Sequence, residues 1–376
     1  MQYLRLCALG IVCSCGSSPI IVRDAAGADG NPDAVIAVDA ARPVHMVAYV
    51  GGNGASIGRY DIATNGGLTP AASTAAFAPK PSFLAITAGA LYAVSEANSR
   101  IAAYALDPMT GALTLINDAA AGGSGPAYIG VDRSGAYVLV ANYGDGSVAT
   151  LAIRADRGVA APQSRAVGAH AHMIVTDPSN RYAFVPCLGA DYVAQFAFDA
   201  ATGTLTPNAE PYLTTATGAG PRHLAFAPDG RHAYLINESN STLSALGFDG
   251  ATGRLSELQT VSTRASGATG DNTGAEVWVH PGGAFVYASN RGDNTIAVFA
   301  IAGDGKLTAI GQAPTLGKTP RDFTLDPTGS RLYVANQDSN NLVPFAIDRR
   351  TGMPTPIAAP VSAPLPTFIG FTALAR

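Results

Sequence analysis

The sequence predicts an all-β protein in which seven similar units, each of four antiparallel strands, close on themselves. Three observations predict it. Turn residues are abundant, with 42 glycines and 25 prolines, while charged residues make up only 13% of the chain, roughly half the usual share. A small turn element, Gly-x-Leu or its near equivalent, returns at a spacing of roughly 47 residues. Its apolar residue falls at Leu68, Leu113, Val159, Leu205, Leu255, Leu307 and Met353. Apolar residues come in short β-branched and aromatic bursts, and no stretch of ten or so residues keeps the 3.6-residue period of a helix. That spacing fits the blades of a β-propeller. A chain of 376 residues would ordinarily suggest two or three domains; the repeat instead makes residues 44–376 one seven-bladed β-propeller.

Each unit reads in the same order. In the seventh, residues 321–325 form an apolar first strand, which ends at the turn Asp326-Pro327-Thr328-Gly329. Proline presets such a turn and glycine completes it. Residues 332–335 form a second strand ending at Asn336, and residues 342–347 a third. Asn142, Asn237 and Asn290 stand where Asn336 does. Because Asn tolerates left-handed backbone and bonds its own turn, the four are expected to be structural caps. The first unit starts with a second-strand pattern at 45–50 and lacks a first strand; residues 366–372 look like a first strand with nothing after it. Pairing the two closes the ring and removes the exposed sheet edges.

The N-terminus asks for a different reading. Arg5 precedes an apolar stretch over residues 6–14, and Val12-Cys13-Ser14-Cys15 resembles a bacterial lipobox. Residues 1–15 are therefore expected to be a signal peptide with Cys15 lipidated, followed by a flexible tether over 16–43. Cys7 and Cys13 would leave with the signal. Cys187 then stands alone and reads as a small buried residue. The protein is expected to be exported, as a periplasmic or outer-membrane-anchored lipoprotein, touching the membrane only through its lipid. Beyond the N-terminus no apolar run approaches the ~18 residues of a membrane span. A net charge of −4 gives no electrostatic reason to expect nucleic acid. A monomer is expected.

Familiar catalytic motifs are missing. There is neither a Gly-x-Ser-x-Gly elbow nor a His-Glu-x-x-His pair. Gly317-Lys318-Thr319 lacks the glycine spacing of a phosphate loop, and Pro314 interrupts it. The polar exceptions nevertheless collect. The residue six before the turn proline is His172, Arg222 or Arg321 in the fourth, fifth and seventh units, and the residue after the cap Asn is Glu238 or Arg291 in the fifth and sixth. The start of one strand and the end of its antiparallel neighbour share one end of a sheet. All five side chains are thus expected at one mouth of the ring. An arginine in a narrow channel is costly without an acid partner, so the mouth is expected to take a small anionic or carbonyl-rich ligand. His170 and His223 are further candidates to touch it. His170 and His172, at i and i+2 on a strand, point the same way, but no third ligand is assured, and neither a metal nor a cofactor is expected.

Gly218-Ala-Gly-Pro-Arg-His-Leu-Ala-Phe-Ala-Pro-Asp-Gly230 and Tyr234-Leu-Ile-Asn-Glu238 resemble the bacterial 6-phosphogluconolactonases of the seven-bladed propeller type. The same superfamily holds the fungal carboxy-muconate lactonizing enzymes. Ala171-His172, Pro186-Cys-Leu-Gly-Ala-Asp191, Ser289-Asn-Arg291 and Pro320-Arg321 match further stretches. The resemblance implies a lactone hydrolase with His172, Glu238, Arg222 and Arg291 as catalytic residues. Glu238 or His172 would be the general base, and the arginines would hold the developing oxyanion and any substrate anion. A muconate-type cycloisomerase and a non-catalytic binding propeller are the alternatives. One departure stands out: where the family commonly has His, two residues after an acid in the sixth unit's first strand, this chain reads Glu276-Val277-Trp278. Trp278 is expected either to pack between blades or to stack on a ligand ring.

Overall fold

The computed structural model describes Ile21–Arg23, Val35–Ala37 and residues 45–375. The expected signal peptide and Cys15 lie outside the described residues. Within the expected tether, Ile21–Arg23 and Val35–Ala37 pair as two antiparallel strands. Among the described residues no helix is long and apolar enough to cross a membrane.

Seven antiparallel sheets follow one another along the chain. Pro366–Leu374 pairs with His45–Gly52 to complete blade one. Blades one to six have four strands; in blade seven the outer position is shared by two short strands, Pro354–Pro356 and Val361–Ser362, both paired with Asn341–Ile347.

The recurring turn element has a conformational cause. Two residues before its apolar mark the backbone is left-handed, and glycine occupies that position as Gly66, Gly111, Gly203, Gly253, Gly305 and Gly352. Blade three places Arg157 there at φ 67°, which explains why its motif lacks the glycine. The register also corrects the seventh mark: Ile347 pairs with Pro354, not Met353, and Pro354 is the buried residue. Second-strand tyrosines then tie outer turns to the preceding blade. Tyr49, Tyr92, Tyr234 and Tyr287 donate their hydroxyls to the carbonyls of Gly111, Arg157, Gly305 and Gly352.

The cap asparagines bond their own turns as expected, each amide donating to the side chain five residues later, Ser147, Thr242, Thr295 or Asn341, but they do so without left-handed backbone. None has positive φ; the left-handed residues are those four positions later, Gly146, Ser241, Asn294 and Asn340. Asn142, Asn290 and Asn336 are fully buried, and their amides donate to the carbonyls of Ala121, Thr263 and Thr315, each in the chain leaving the previous blade. They clamp neighbouring blades. Blade four puts Cys187 at this position, opposite Ala171. That thiol is buried, and burial pushes it up to about 12, so it stays protonated and inert.

Candidate active site

Polar side chains reach the axis through a repeated irregularity. Blades three, five and seven begin their inner strands Pro126–Val131, Pro221–Phe226 and Pro320–Leu325 with a β-bulge. Pro221 pairs with Asn237 and His223 with Ile236, which leaves Arg222 as the extra, unpaired residue; Arg321 is the extra residue between Pro320 and Asp322. Proline is tolerated at the first position of a strand, and a bulge re-aims the residue it inserts. In blade six, Gly274–Val279 skips both Ala275 and Glu276.

The structure brings His172, Arg222, Glu238, Arg291 and Arg321 into one cluster. Glu238 bridges two arginines, with Oε2 2.9 Å from Arg222 Nε and Oε1 2.8 Å from a terminal nitrogen of Arg291. The backbone fixes this bridge: Glu238 N–H donates to the carbonyl of Gly220, and Gly274 N–H to that of Glu238. Gly220 has φ 66°, and a Cβ there would lie 2.4 Å from Ser239 Oγ and 3.2 Å from its backbone nitrogen, so a larger residue would be strained and would push Ser239 aside. Arg222 also donates to the Ala275 carbonyl at 2.5 Å, and Arg291 to that of Gly274 at 3.2 Å. The Arg321 guanidinium has no hydrogen-bond or ion-pair partner among the described residues, although it lies within the field of Arg291 and Glu238.

Charge states follow from these neighbours. Burial would raise the Glu238 carboxyl, but Arg222 and Arg291 outweigh it and hold it below the usual range. Glu238 is therefore ionised and a weak base. Burial pulls Arg222 down to about 10, and Glu238 opposes the fall, so Arg222 stays charged at neutral pH. Burial, then Arg222 and His223, push His172 well below the ordinary histidine value. His172 is a neutral imidazole.

Beneath the mouth lies a second ring. Blades one, two and three contribute Phe368, Phe83 and Tyr128, with Phe83 centred 4.7 Å from each of the other two rings. Blade five contributes His223, held edge-on by Phe83 and Tyr128 at 5.8 Å, and blades six and seven contribute the buried acids Glu276 and Asp322. His223 is expected from the sequence to touch substrate, but it is only 1% exposed. One ring nitrogen lies 3.1 Å from His172 and the other 2.8 Å from Glu276. It belongs below the mouth.

His170 departs from strand alternation because its own φ is 56°. Its exposed ring stacks on Tyr143 at 4.3 Å, and Tyr143 in turn meets His172 edge-on at 5.7 Å. Trp278 settles between blades six and seven, against the cluster of Tyr287, Phe323 and Phe345. Tyr143 and Asp322 are not legible as site residues in the sequence, and Glu276 is legible there only as the neighbour of Trp278. Among the described residues no three His, Cys, Asp or Glu side chains are grouped to hold a metal ion.

A model for "Lactonase, 7-bladed beta-propeller" matches residues 44–371. The chain belongs to the lactonase family. This lactonase-family propeller is 32% identical over 295 residues to the 6-phosphogluconolactonase of Bacillus subtilis (strain 168), a match covering 75% of this chain and 83% of that protein. It is 33% identical over 286 residues to the 6-phosphogluconolactonase of Pectobacterium carotovorum subsp. carotovorum, covering 76% and 85%. Among solved structures it is similar to the periplasmic gluconolactonase PpgL of Pseudomonas aeruginosa, with a TM-score of 0.82 and 29% identity, covering 88% of this chain and all of that one.

The bridge makes a pH-dependent expectation. Glu238 titrates lower folded than unfolded, so its contribution is fully present above about pH 4.5 and is lost as pH falls through the lower folded value. Glu238→Gln leaves Arg222 and Arg291 without their shared acid. It is expected to cost about 1–3 kcal/mol at pH 7, and the gap should narrow as pH falls below about 4.5. Denaturant unfolding of both proteins across that range checks it.

Proposed function

We propose that this protein hydrolyses a lactone of the sugar-acid type at the mouth formed by blades four to seven. One observation carries the reading: a neutral imidazole, His172, stands among three guanidinium groups of which two are anchored by a single ionised acid. Lactone opening needs a base for water and donors for the oxyanion. His172 serves as the general base. Glu238, held ionised by its arginines, orients Arg222 and Arg291 rather than taking the proton. The names of the similar proteins supply the substrate class, a phosphorylated or plain gluconolactone.

Arg321 refines that choice. A half-buried guanidinium with no ion-pair partner among the described residues gains most from a bidentate carboxylate or phosphate, so Arg321 receives an anionic group of the substrate. The lipobox-like Val12-Cys13-Ser14-Cys15 and the periplasmic neighbour support a place outside the cytoplasm.

A lactone panel followed by base uptake tests both points. The protein is expected to open 6-phosphogluconolactone or gluconolactone faster than buffer does. Arg321→Met should raise KM for an anionic lactone by roughly tenfold or more, the scale of one charged hydrogen bond, and leave a neutral one nearly unchanged. Equal effects on both would remove Arg321 from anion recognition, and a panel opened no faster than in buffer would remove the function.

A further inference from the structure

His172 does not end at its own ring. Its Nδ1 lies 3.1 Å from His223 Nε2, and His223 Nδ1 lies 2.8 Å from Glu276 Oε2. Glu276 Oε1 accepts the Val277 N–H at 3.0 Å, which leaves Oε2 to His223. Asp322 adjoins Glu276, and its own Oδ2 accepts the Ile369 N–H at 2.7 Å. The line runs from the mouth through four blades into the core, and His172, His223, Glu276 and Asp322 are all buried along it.

Hydrogen-bond accounting gives the line a direction. A neutral imidazole owns one N–H, and an ionised carboxylate only accepts. With Glu276 ionised, His223 must place its proton on Nδ1. Its Nε2 is then an acceptor, so His172 must place its proton on Nδ1 too. That leaves His172 Nε2 as a bare lone pair. We propose that His223 and Glu276 are positioning residues that keep Nε2 of His172 free and take up, by successive transfers, the proton it removes from water. The proposal rests on the lactone-opening reading above.

The step balances. A water O–H bond breaks and its proton goes to His172 Nε2, the Nδ1 proton of His172 passes to His223 Nε2, and the Nδ1 proton of His223 passes to Glu276 Oε2. The water oxygen bonds to the lactone carbonyl carbon. When the ring C–O bond breaks, the leaving oxygen takes a proton from His172 Nε2, and the line returns to its starting state.

The surroundings make such a line useful. Arg222, Arg291 and Arg321 all oppose a cation on His172, as does His223 if protonated. Glu238 is held by two of those arginines, and Tyr143 presents only a ring edge. A lone imidazolium would be costly there, whereas the relay ends with a neutral Glu276 and two neutral imidazoles. Burial pushes Glu276 up to about 8, against the pull of Arg222 and the Val277 N–H, and burial and the Glu276 charge push Asp322 well above its ordinary value. The buried acid is thus a better proton acceptor than His172 alone.

Glu276→Gln tests the direction. The amide oxygen stays on the Val277 N–H, so the amide nitrogen faces His223 and donates to it. Every bond in the line then reverses, and His172 Nε2 gains the proton. In the full-length protein, ¹⁵N spectra of labelled histidines are expected to show His172 as the Nδ1–H form in the parent and the Nε2–H form in the variant. The kcat should fall about 10²- to 10⁴-fold, the scale of losing a correctly poised base, while KM changes little. The parent kcat should rise as pH increases through about 8, and the variant should lack that rise. A parent His172 protonated on Nε2 at pH 9, where Glu276 is ionised, overturns the relay whatever the activity, and this measurement needs no variant. The expected tautomers in a parent that opens no lactone overturn the lactonase reading and the catalytic half of the proposal together. An unchanged kcat in a variant whose tautomer has flipped overturns the relay alone.

Discussion

Changing His172 to alanine is expected to lower kcat for lactone opening by about 10²- to 10⁴-fold, the range for removing a positioned general base. KM should move much less, because the arginines proposed to hold the substrate keep their acid and carbonyl partners. The His172 side chain takes no part in the strand pairing of its blade, where Val175–Thr176 and the Ala171 bridge hold the inner segment, so the fold should survive. Circular dichroism with initial rates separates the two effects. Glu238→Gln should behave differently: it loosens Arg222 and Arg291, raising KM and lowering kcat together. If His172→Ala retained parental kcat while Glu238→Gln abolished it, the base would be Glu238, against its low basicity between two arginines.

Deleting residues 364–376 is expected to prevent folding altogether. The closing strand Pro366–Leu374 is buried along nearly its whole length. Phe368, Ile369 and Phe371 are each no more than 2% exposed. Burying three such side chains is worth about 5–9 kcal/mol, comparable with the 5–15 kcal/mol net stability of a typical domain. The deletion also bares the edge of His45–Gly52, a ready template for aggregation. A circular permutant that places residues 364–375 directly before residue 45 should fold, because it keeps the same pairing with a different chain order. A soluble, cooperatively unfolding deletion variant would show that the ring does not depend on this closure.

The ring was legible in the sequence because the same turn chemistry recurs in unit after unit. Where the chemistry drifts, legibility drifts with it. Arg157 takes the left-handed place that glycine holds elsewhere, Cys187 takes the clamp position of an asparagine, and proline at 354 displaces the seventh mark by one residue. The meeting of His172, Arg222, Glu238 and Arg291 was legible because strand ends share a side of a sheet. The second ring was not. His223, Glu276 and Asp322 sit one residue deeper on three different blades, and only the bulges bring them into line. A hint was available in Glu276 and Asp322, two acids within otherwise apolar first strands, whose burial demands a partner. His170 misled for the opposite reason: its left-handed backbone breaks the alternation that an i, i+2 argument assumes.

One comparison decides whether catalysis takes place at this mouth. Initial rates of 6-phosphogluconolactone and gluconolactone opening are measured at constant pH for buffer, the purified protein and its His172→Ala variant. At least one lactone should be opened by the protein well above the spontaneous rate, and the variant should fall back close to buffer. Rates for the protein indistinguishable from buffer on both lactones, or a variant as fast as its parent, would contradict catalysis at this mouth.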